Sequence, residues 1–162
     1  MKLVLSDEIF EKTREKFLEK EKFLLGLDAD LEVCHGGGTS MKGILTRGDL
    51  DLLIRCNSEE QLASLTEKLK EKLQIKHPHI WSSVYSLFFE KDEFDIDYVV
   101  VLKGSPYGIR QQILKEKFKQ ESVREAYNEL KRRHENSEYP EYAKDKIAFL
   151  DKLERENSSG TV

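Results

Sequence analysis

The most constraining feature of this sequence is an alternating segment that carries acidic residues and follows a glycine-rich turn. Leu50, Leu52 and Ile54 alternate with Asp49 and Asp51, which is the period-two pattern of a β-strand with both aspartates on one face. Two carboxylates at the start of so apolar a strand are costly unless they face water, a cation or a metal ion. The segment therefore predicts a strand whose polar face opens onto a site.

A second alternating segment, residues 94–102, repeats this pattern, with Asp95 and Asp97 on one side of the chain. If the two strands are neighbours, Asp97 converges with Asp49 and Asp51 beside the glycine turn. Three carboxylates form a hard-oxygen site that suits Mg²⁺ or Mn²⁺. Asp97 directly precedes a hydrophobic run and suits the third position better than Asp95, which is expected to be solvated or to lie outside the ligand set.

The glycine turn supplies groups that suit phosphate. Consecutive glycines let the backbone approach a triphosphate closely, and backbone amides and hydroxyl groups then bind its oxygens. Phosphoryl or nucleotidyl transfer needs this kind of alignment and charge neutralisation, which two divalent ions also provide. The groups predicted to bind the phosphates are Gly37, Gly38, Thr39 and Ser40, with Lys42 and Arg47 as the cations.

Each motif also has a simpler interpretation. An isolated Asp-x-Asp pair favours a solvated strand end, and an isolated Gly-Gly-Gly run favours a flexible turn. The two occur here in order, and a third aspartate precedes a later hydrophobic run. This joint occurrence favours the metal site over the simpler interpretations.

Composition limits the class of protein. The chain has 162 residues, a formal net charge of −4 and a pI near 5.7, which argues against a general nucleic-acid or anionic-membrane binder. No apolar run approaches the roughly 20 residues of a membrane helix, and residues 1–6 do not resemble a signal peptide. Cys34 and Cys56 fit reduced packing residues better than a disulfide, so we expect a cytoplasmic protein.

The order of predicted elements is helix, strand, glycine turn, strand, helix, hairpin and a helical tail. This order favours an α+β fold in which a small mixed or antiparallel sheet has helices packed on one face and a C-terminal helical extension. The predicted organisation is a core at residues 1–104, a helical extension packed on the core at 105–154, and a flexible tail at 155–162.

Several element boundaries have sequence signals. Ser58 and Ser122 each begin a capping-box pattern, with Gln61 and Glu125 three residues later, and so predict two helix starts. Residues 80–90 are predicted as one strand of the hairpin, and residues 111–118 as a short helix.

These motifs together resemble a known superfamily. Gly37-Gly38 followed by Asp49-Leu50-Asp51-Leu52 is similar to the signature of the DNA polymerase β-like nucleotidyltransferases, and His35 to Gly43 resembles the His-x-Gly-Ser-Thr-Ser-x-x-Gly stretch of its GrpB-like family. The resemblance implies a nucleotidyltransferase-type sheet. It differs at Met41-Lys42, where the family usually has Val-Pro. Both paired aspartates are also present here, whereas the family pattern often keeps only one.

The resemblance extends into the helical tail. Tyr127 to Lys131 resembles the family's Tyr-x-x-Leu-Lys, and Tyr142 to Phe149 its Tyr-x-x-x-Lys-x-x-Phe. Lys131 and Lys146 are accordingly possible phosphate-binding residues that reach across the cleft. Lysines on solvent-exposed helix faces, with no role in binding phosphate, would give the same sequence pattern.

The leading hypothesis is a nucleotidyltransferase that moves a nucleoside monophosphate from a nucleoside triphosphate to an acceptor hydroxyl. Asp49, Asp51 and Asp97 would hold Mg²⁺ or Mn²⁺, and Asp97 would help to deprotonate the acceptor. The acceptor, whether a small molecule, a protein or an RNA, is open. The alternative is a catalytically inactive module that keeps the fold and binds a nucleotide or a protein partner.

Overall fold

The computed structural model describes residues 2–159, and this part of the chain contains seven β-strands and five α-helices. The strands are β1 Val4–Leu5, β2 Glu32–Gly36, β3 Leu45–Thr46, β4 Leu50–Cys56, β5 Gln74–Ile75, β6 Tyr85–Lys91 and β7 Asp95–Leu102. The helices are α1 Ser6–Leu27, α2 Glu59–Lys70, α3 Pro106–Lys117, α4 Glu121–Arg133 and α5 Tyr139–Ser159. No helix among the described residues is long and apolar enough to cross a membrane.

The main sheet has five strands in the order β2-β4-β7-β6-β5. The central strands β4 and β7 are parallel, and every other neighbouring pair in this sheet is antiparallel. Strands β1 and β3 form a separate antiparallel pair beside it. The mixed sheet and the surrounding helices confirm the predicted α+β class.

One face of the sheet is buried by the first two helices. The inward residues of the two central strands are fully buried and form one core with leucines of α1 and α2. This core includes Leu50, Leu52 and Ile54 of β4, Ile96, Tyr98 and Val100 of β7, and Leu24, Leu62, Leu65 and Leu69 of the helices. Because side chains alternate along a strand, Asp49, Asp51 and Asp97 face the opposite side.

The C-terminal helices build a second core on the loop between β2 and β4. Ile44, at the centre of this loop, is fully buried against apolar residues of α3, α4 and α5. Asn128 of α4 ties the same loop down, because its side chain accepts a hydrogen bond from the Leu45 amide and donates one to the Gly43 carbonyl, both at 2.8 Å. The helical extension is therefore fastened to the segment that leads into the aspartates.

The structure corrects the predicted strand at residues 80–90. Strand β6 begins only at Tyr85, and Pro78–Ile80 forms a short 3₁₀ helix instead. Trp81 in this segment packs on the sheet, since its ring lies 5.0 Å from that of Phe88, whereas Ile80 is exposed. Strand β5, at the edge of the sheet, is only two residues long and is not apparent in the sequence pattern.

The helix starts are only partly as predicted. Ser58 caps α2 through its hydroxyl, which accepts a hydrogen bond from the Gln61 amide at 3.1 Å, and this confirms the first predicted helix start. The Gln61 side chain accepts from the Asn57 amide, one residue before the cap, and so departs from the reciprocal bond of a capping box. Ser122 does not cap a helix: α4 begins at Glu121 after Gln120, whose carbonyl accepts hydrogen bonds from the Val123 and Arg124 amides.

Helix α3 begins five residues earlier than predicted, because Ser105 caps it and Pro106 occupies its first turn. At the other end of the chain, α5 continues to Ser159, into the predicted tail, and residues 160–162 lie outside the described part of the chain.

Candidate metal and phosphate site

The three predicted aspartates come together at the starts of the two central strands. Asp51 and Asp97 are directly paired in the parallel register of β4 and β7. Asp49 lies two residues before Asp51 and shares its face, and all three side chains are partly buried. The charges of Asp97 and Asp49 both raise the pKa of Asp51, because the three carboxylates lie close enough to repel one another.

Asp51 is the most perturbed of these carboxylates. Burial, together with the charges of Asp97 and Asp49, raises its pKa to about 6, against the opposing charges of Lys146 and Lys76. No residue in the described part of the chain donates a hydrogen bond to its side chain. An unneutralised carboxylate in such a place is typical of a functional site and not of a structural ion pair.

The other two aspartates each contact a cation. Asp49 pairs with Arg47 at 2.9 Å, yet burial raises the pKa of Asp49 above its ordinary value. Asp97 pairs with Lys76, whose ammonium donates a hydrogen bond to Oδ1 at 2.8 Å. These two cations balance part of the negative charge that the aspartates bring together.

The donor set fits a hard divalent cation in its chemistry. All three groups are carboxylates on the same side of the sheet, and their mutual repulsion would be relieved by a cation. Within residues 2–159, however, no three acidic, histidine or cysteine side chains are already arranged around a common ion position. Binding an ion would require Asp49 and Asp97 to turn from Arg47 and Lys76.

The glycine turn lies directly against Asp51. Gly37 has a φ of +67°, and a Cβ placed there would collide with the carboxylate of Asp51. Gly38 begins a 3₁₀ helix and has little more room, because a Cβ there would lie 3.2 Å from Ile44. Glycine is needed at residue 37 for the turn to approach the acidic strand, whereas a side chain at residue 38 would require its neighbours to shift slightly.

Hydroxyl groups hold this turn in shape. Thr39 is fully buried, and its hydroxyl donates to the Asp49 carbonyl at 3.0 Å and contacts the His35 ring nitrogen at 2.9 Å. The Ser40 hydroxyl donates to the Gly37 carbonyl at 2.6 Å. Thr39 therefore links the turn to the aspartate strand, whereas Ser40 is more open to a ligand.

A cleft of about 1140 Å³ opens between the turn and the C-terminal helices. Five of the residues predicted to bind phosphate line it: Gly37, Gly38, Ser40, Lys42 and, from α5, Lys146. Arg47 instead lines a second cavity of about 680 Å³ together with Asp49 and the exposed Asp95. The residues predicted to bind phosphate therefore line two separate cavities.

Lys131 is placed differently from the predicted reach across the cleft. It is only 6% exposed, and its ammonium donates a hydrogen bond to the Leu45 carbonyl and lies 4.3 Å from the centre of the Tyr127 ring. Burial, with the charges of Lys146 and Arg47, lowers its pKa to about 7. Its contacts support the loop before the aspartates.

Several cations of this region are not apparent from the sequence pattern, and Lys76 and Arg124 are examples. Lys76 reaches Asp97 because the short strand β5 places it beside β6, and Arg124 of α4 lines the cleft near Gly43. The alternation of Gln74 and Lys76 is the one signal that would have placed Lys76 on the aspartate face. Two residues of strand are too few for that signal to stand out.

Solved structures of known proteins share the fold of this chain. The structure is similar to the crystal structure of the conserved protein GrpB from Enterococcus faecalis, with a TM-score of 0.72 and 17% identity over 96% of each chain. It is also similar to the Cid1 poly(U) polymerase bound to MgGTP, with a TM-score of 0.51 and 15% identity over 75% of this chain and 40% of that one. No curated protein matches the sequence.

At these identities the similarity shows the fold, which is that of the nucleotidyltransferases. The family model described as GrpB protein matches residues 3–156, almost the whole chain. The chain therefore belongs to the GrpB family.

Proposed function

We propose that this protein is a metal-dependent nucleotidyltransferase that moves a nucleoside monophosphate from a nucleoside triphosphate to an acceptor hydroxyl. The observation that carries the proposal is the pairing of Asp51 with Asp97 across parallel strands, with Asp49 beside them and Gly37 against the Asp51 carboxylate. Such a site joins a hard-cation donor set to a backbone turn that a phosphate can approach.

In this proposal each aspartate has a role. Asp49, Asp51 and Asp97 would hold Mg²⁺ or Mn²⁺, which when bound supplies positive charge to the phosphate oxygens and to the attacking oxygen. Asp97 would also accept the proton of the acceptor hydroxyl. The raised pKa of Asp51 is consistent with a carboxylate that is left without a neutralising partner until a cation arrives.

The large cleft would hold the nucleoside triphosphate. Seven cationic residues and two acidic ones line it, although the whole chain has a net charge of −4. Four of these cations make no ion pair with any described carboxylate: Lys42, Lys115, Arg124 and Lys146. A cleft of this charge attracts a polyphosphate.

One observation favours the alternative of an inactive nucleotide-binding or partner-binding module. The ion pairs of Asp49 with Arg47 and of Asp97 with Lys76 satisfy two of the three carboxylates without a metal ion. A module that had lost catalysis would be stabilised by such pairs. The enzyme and the inactive module differ in whether metal binding at these aspartates leads to transfer of a nucleoside monophosphate.

The cytoplasm is the proposed compartment. Cys34 and Cys56 are free thiols, which fits a reducing environment.

The test combines transfer and binding measurements. The protein is incubated with labelled nucleoside triphosphates, Mg²⁺ or Mn²⁺, and acceptors that include small molecules, proteins and RNA, while calorimetry measures nucleotide affinity with and without metal. We expect transfer that Asp51→Asn and Asp97→Asn each reduce by at least 100-fold. The exposed Asp95, which shares the strand face of Asp97, provides the control, and Asp95→Asn should keep its activity.

Absence of both transfer and metal-dependent nucleotide binding would refute the enzyme. Nucleotide or partner binding that persists in Asp51→Asn, with no transfer by the unmodified protein, would support the inactive module.

A further inference from the structure

The backbone of Lys76 is held by two hydrogen bonds next to the proposed metal site. Its amide donates a hydrogen bond to the Leu87 carbonyl at 3.1 Å, and its carbonyl accepts one from the Trp81 indole at 3.0 Å. Its ammonium lies 5.6 Å from the centre of the Phe89 ring, and Phe89 is the register partner of Asp97. The neighbouring strand and the tryptophan therefore aim this side chain at the aspartates.

The positive charge of Lys76 acts on the acidic cluster through Asp97. Its ammonium donates directly to Asp97 Oδ1 at 2.8 Å. Lys76 thus supplies within the chain part of the charge that a divalent ion would bring.

We propose that Lys76 is a resident cation that competes with a divalent ion for Asp97 and so limits metal affinity. This inference deepens the proposed function, because it rests on the same metal site, but it makes no use of the transfer reaction. Oδ1 of Asp97 accepts the lysine hydrogen bond, so an ion that takes this oxygen must displace the ammonium.

The expected size of the effect follows from the exposure of the pair. The side chains of Lys76 and Asp97 are 32% and 25% exposed, so water screens their attraction and the flexible lysine can turn away. Ion pairs in such positions are worth little to moderate free energy. Removing the competitor should therefore tighten divalent-ion binding by about fivefold.

The test measures Mn²⁺ binding to the nucleotide-free full chain by calorimetry and by electron paramagnetic resonance. Lys76→Met removes the charge and keeps the apolar stem over Phe89, and we expect it to bind Mn²⁺ about five times more tightly than the unmodified protein. Lys16→Met is the matched control, because Lys16 pairs with Asp92 at 2.9 Å on another part of the surface. It loses the same charge and should bind Mn²⁺ as the unmodified protein does.

A second comparison isolates Asp97. In an Asp97→Asn background, Lys76→Met should no longer change the affinity, because the competition acts through the Asp97 carboxylate. If circular dichroism shows that Lys76→Met is not folded, Lys76→Gln replaces it with the same expectation.

Three results would overturn the inference. The first is an unchanged Mn²⁺ affinity in the Lys76 variant, and undetectable binding in both proteins counts as unchanged. The second is an equal gain in Mn²⁺ affinity in Lys16→Met. The third is a gain in Mn²⁺ affinity that persists when Lys76→Met is made in the Asp97→Asn background. None of these depends on transfer activity, so failure here and failure of the proposed enzyme are separate outcomes.

Discussion

Gly37 and Asp51 determine each other's positions, and this contact is the tightest constraint in the site. The carboxylate of Asp51 occupies the space that a side chain at residue 37 would need, and the φ of +67° at Gly37 disfavours any other residue. Because Gly37 has no side chain, the turn can lie against the Asp51 carboxylate. That carboxylate in turn leaves no room for a side chain at residue 37.

The first prediction concerns this glycine. Gly37→Ala should lower the free energy of unfolding by about 2 kcal/mol, because it adds backbone strain and forces Asp51 to turn. Gly26→Ala is the control, since Gly26 lies inside α1 with nothing within 4 Å of an added Cβ. That change should raise stability by about 0.5–1 kcal/mol. Urea denaturation measures both, and equal effects of the two substitutions would contradict the steric argument.

The second prediction concerns the ionisation of Asp51. Its pKa is about 6 in the folded protein against an ordinary value of 3.8, so the folded state binds the proton more tightly than the unfolded state. Ionisation of Asp51 therefore lowers the free energy of unfolding. This loss is complete above pH 6 and disappears as the pH falls toward 3.8. Asp51→Asn should be more stable than the unmodified protein by about 2 kcal/mol at pH 7.5.

The measurement is urea denaturation of both proteins between pH 4 and 8 without divalent ions. The gap between them should close as the pH falls. Asp95→Asn, at an exposed position, should show no such gap. A variant that is less stable than the unmodified protein at pH 7.5 would mean that the carboxylate makes favourable contacts at this site.

At the scale of elements, two similar sequence patterns have different outcomes. Ser58 caps α2, whereas Ser122 lies within the first turn of α4 after Gln120. The local sequences at Ser58 and Ser122 match the capping-box pattern almost equally well. The turn that leads from α3 into α4 decides the difference, because α4 begins two residues after Lys119 and Gln120 takes the cap position in place of Ser122.

The third prediction follows from this contrast. Ser58→Ala should cost about 1 kcal/mol of stability, because the Gln61 amide loses its acceptor. Ser122→Ala should change stability by no more than about 0.5 kcal/mol, since alanine suits a helix interior. Thermal unfolding followed by circular dichroism compares the two variants. A similar loss in both would show that Ser122 caps α4 in solution.

At the scale of the whole molecule, the helical extension and the sheet are joined through the loop before the aspartates. Asn128 is 3% exposed and satisfies both the Gly43 carbonyl and the Leu45 amide. Lys131, one helical turn later, donates to the Leu45 carbonyl. The extension therefore positions the loop from which Asp49 emerges.

The fourth prediction tests this connection. Asn128→Ala should destabilise the protein by about 1–3 kcal/mol, because it leaves the Leu45 amide and the Gly43 carbonyl, which are only partly open to water, without their partner. Fluorescence of Trp81, the single tryptophan, reports on the sheet, and far-UV circular dichroism reports mainly on the helices. Both transitions should shift together. The control Glu129→Ala, at an exposed position of α4, should shift neither, and a shift confined to the circular dichroism signal would show that the extension unfolds separately.

Much of the fold is predictable because its signals are local. The alternation in β4 and β7 and the helix cap at Ser58 involve residues within a few positions of one another, and each predicted element is present. The predicted strand at residues 80–90 begins late, because Trp81 there packs on the sheet from outside the strand. Burial alone does not distinguish these two uses of an apolar residue.

The sequence by itself determined that Asp49 and Asp51 share one strand face and that a glycine turn precedes them. Alternation is a property of the extended backbone, and it needs no partner. Only the tertiary structure decided that Asp97 lies directly opposite Asp51, that Lys76 binds Asp97 and that Lys131 supports the loop. These contacts join residues between 21 and 86 positions apart, and their register depends on how whole elements pack.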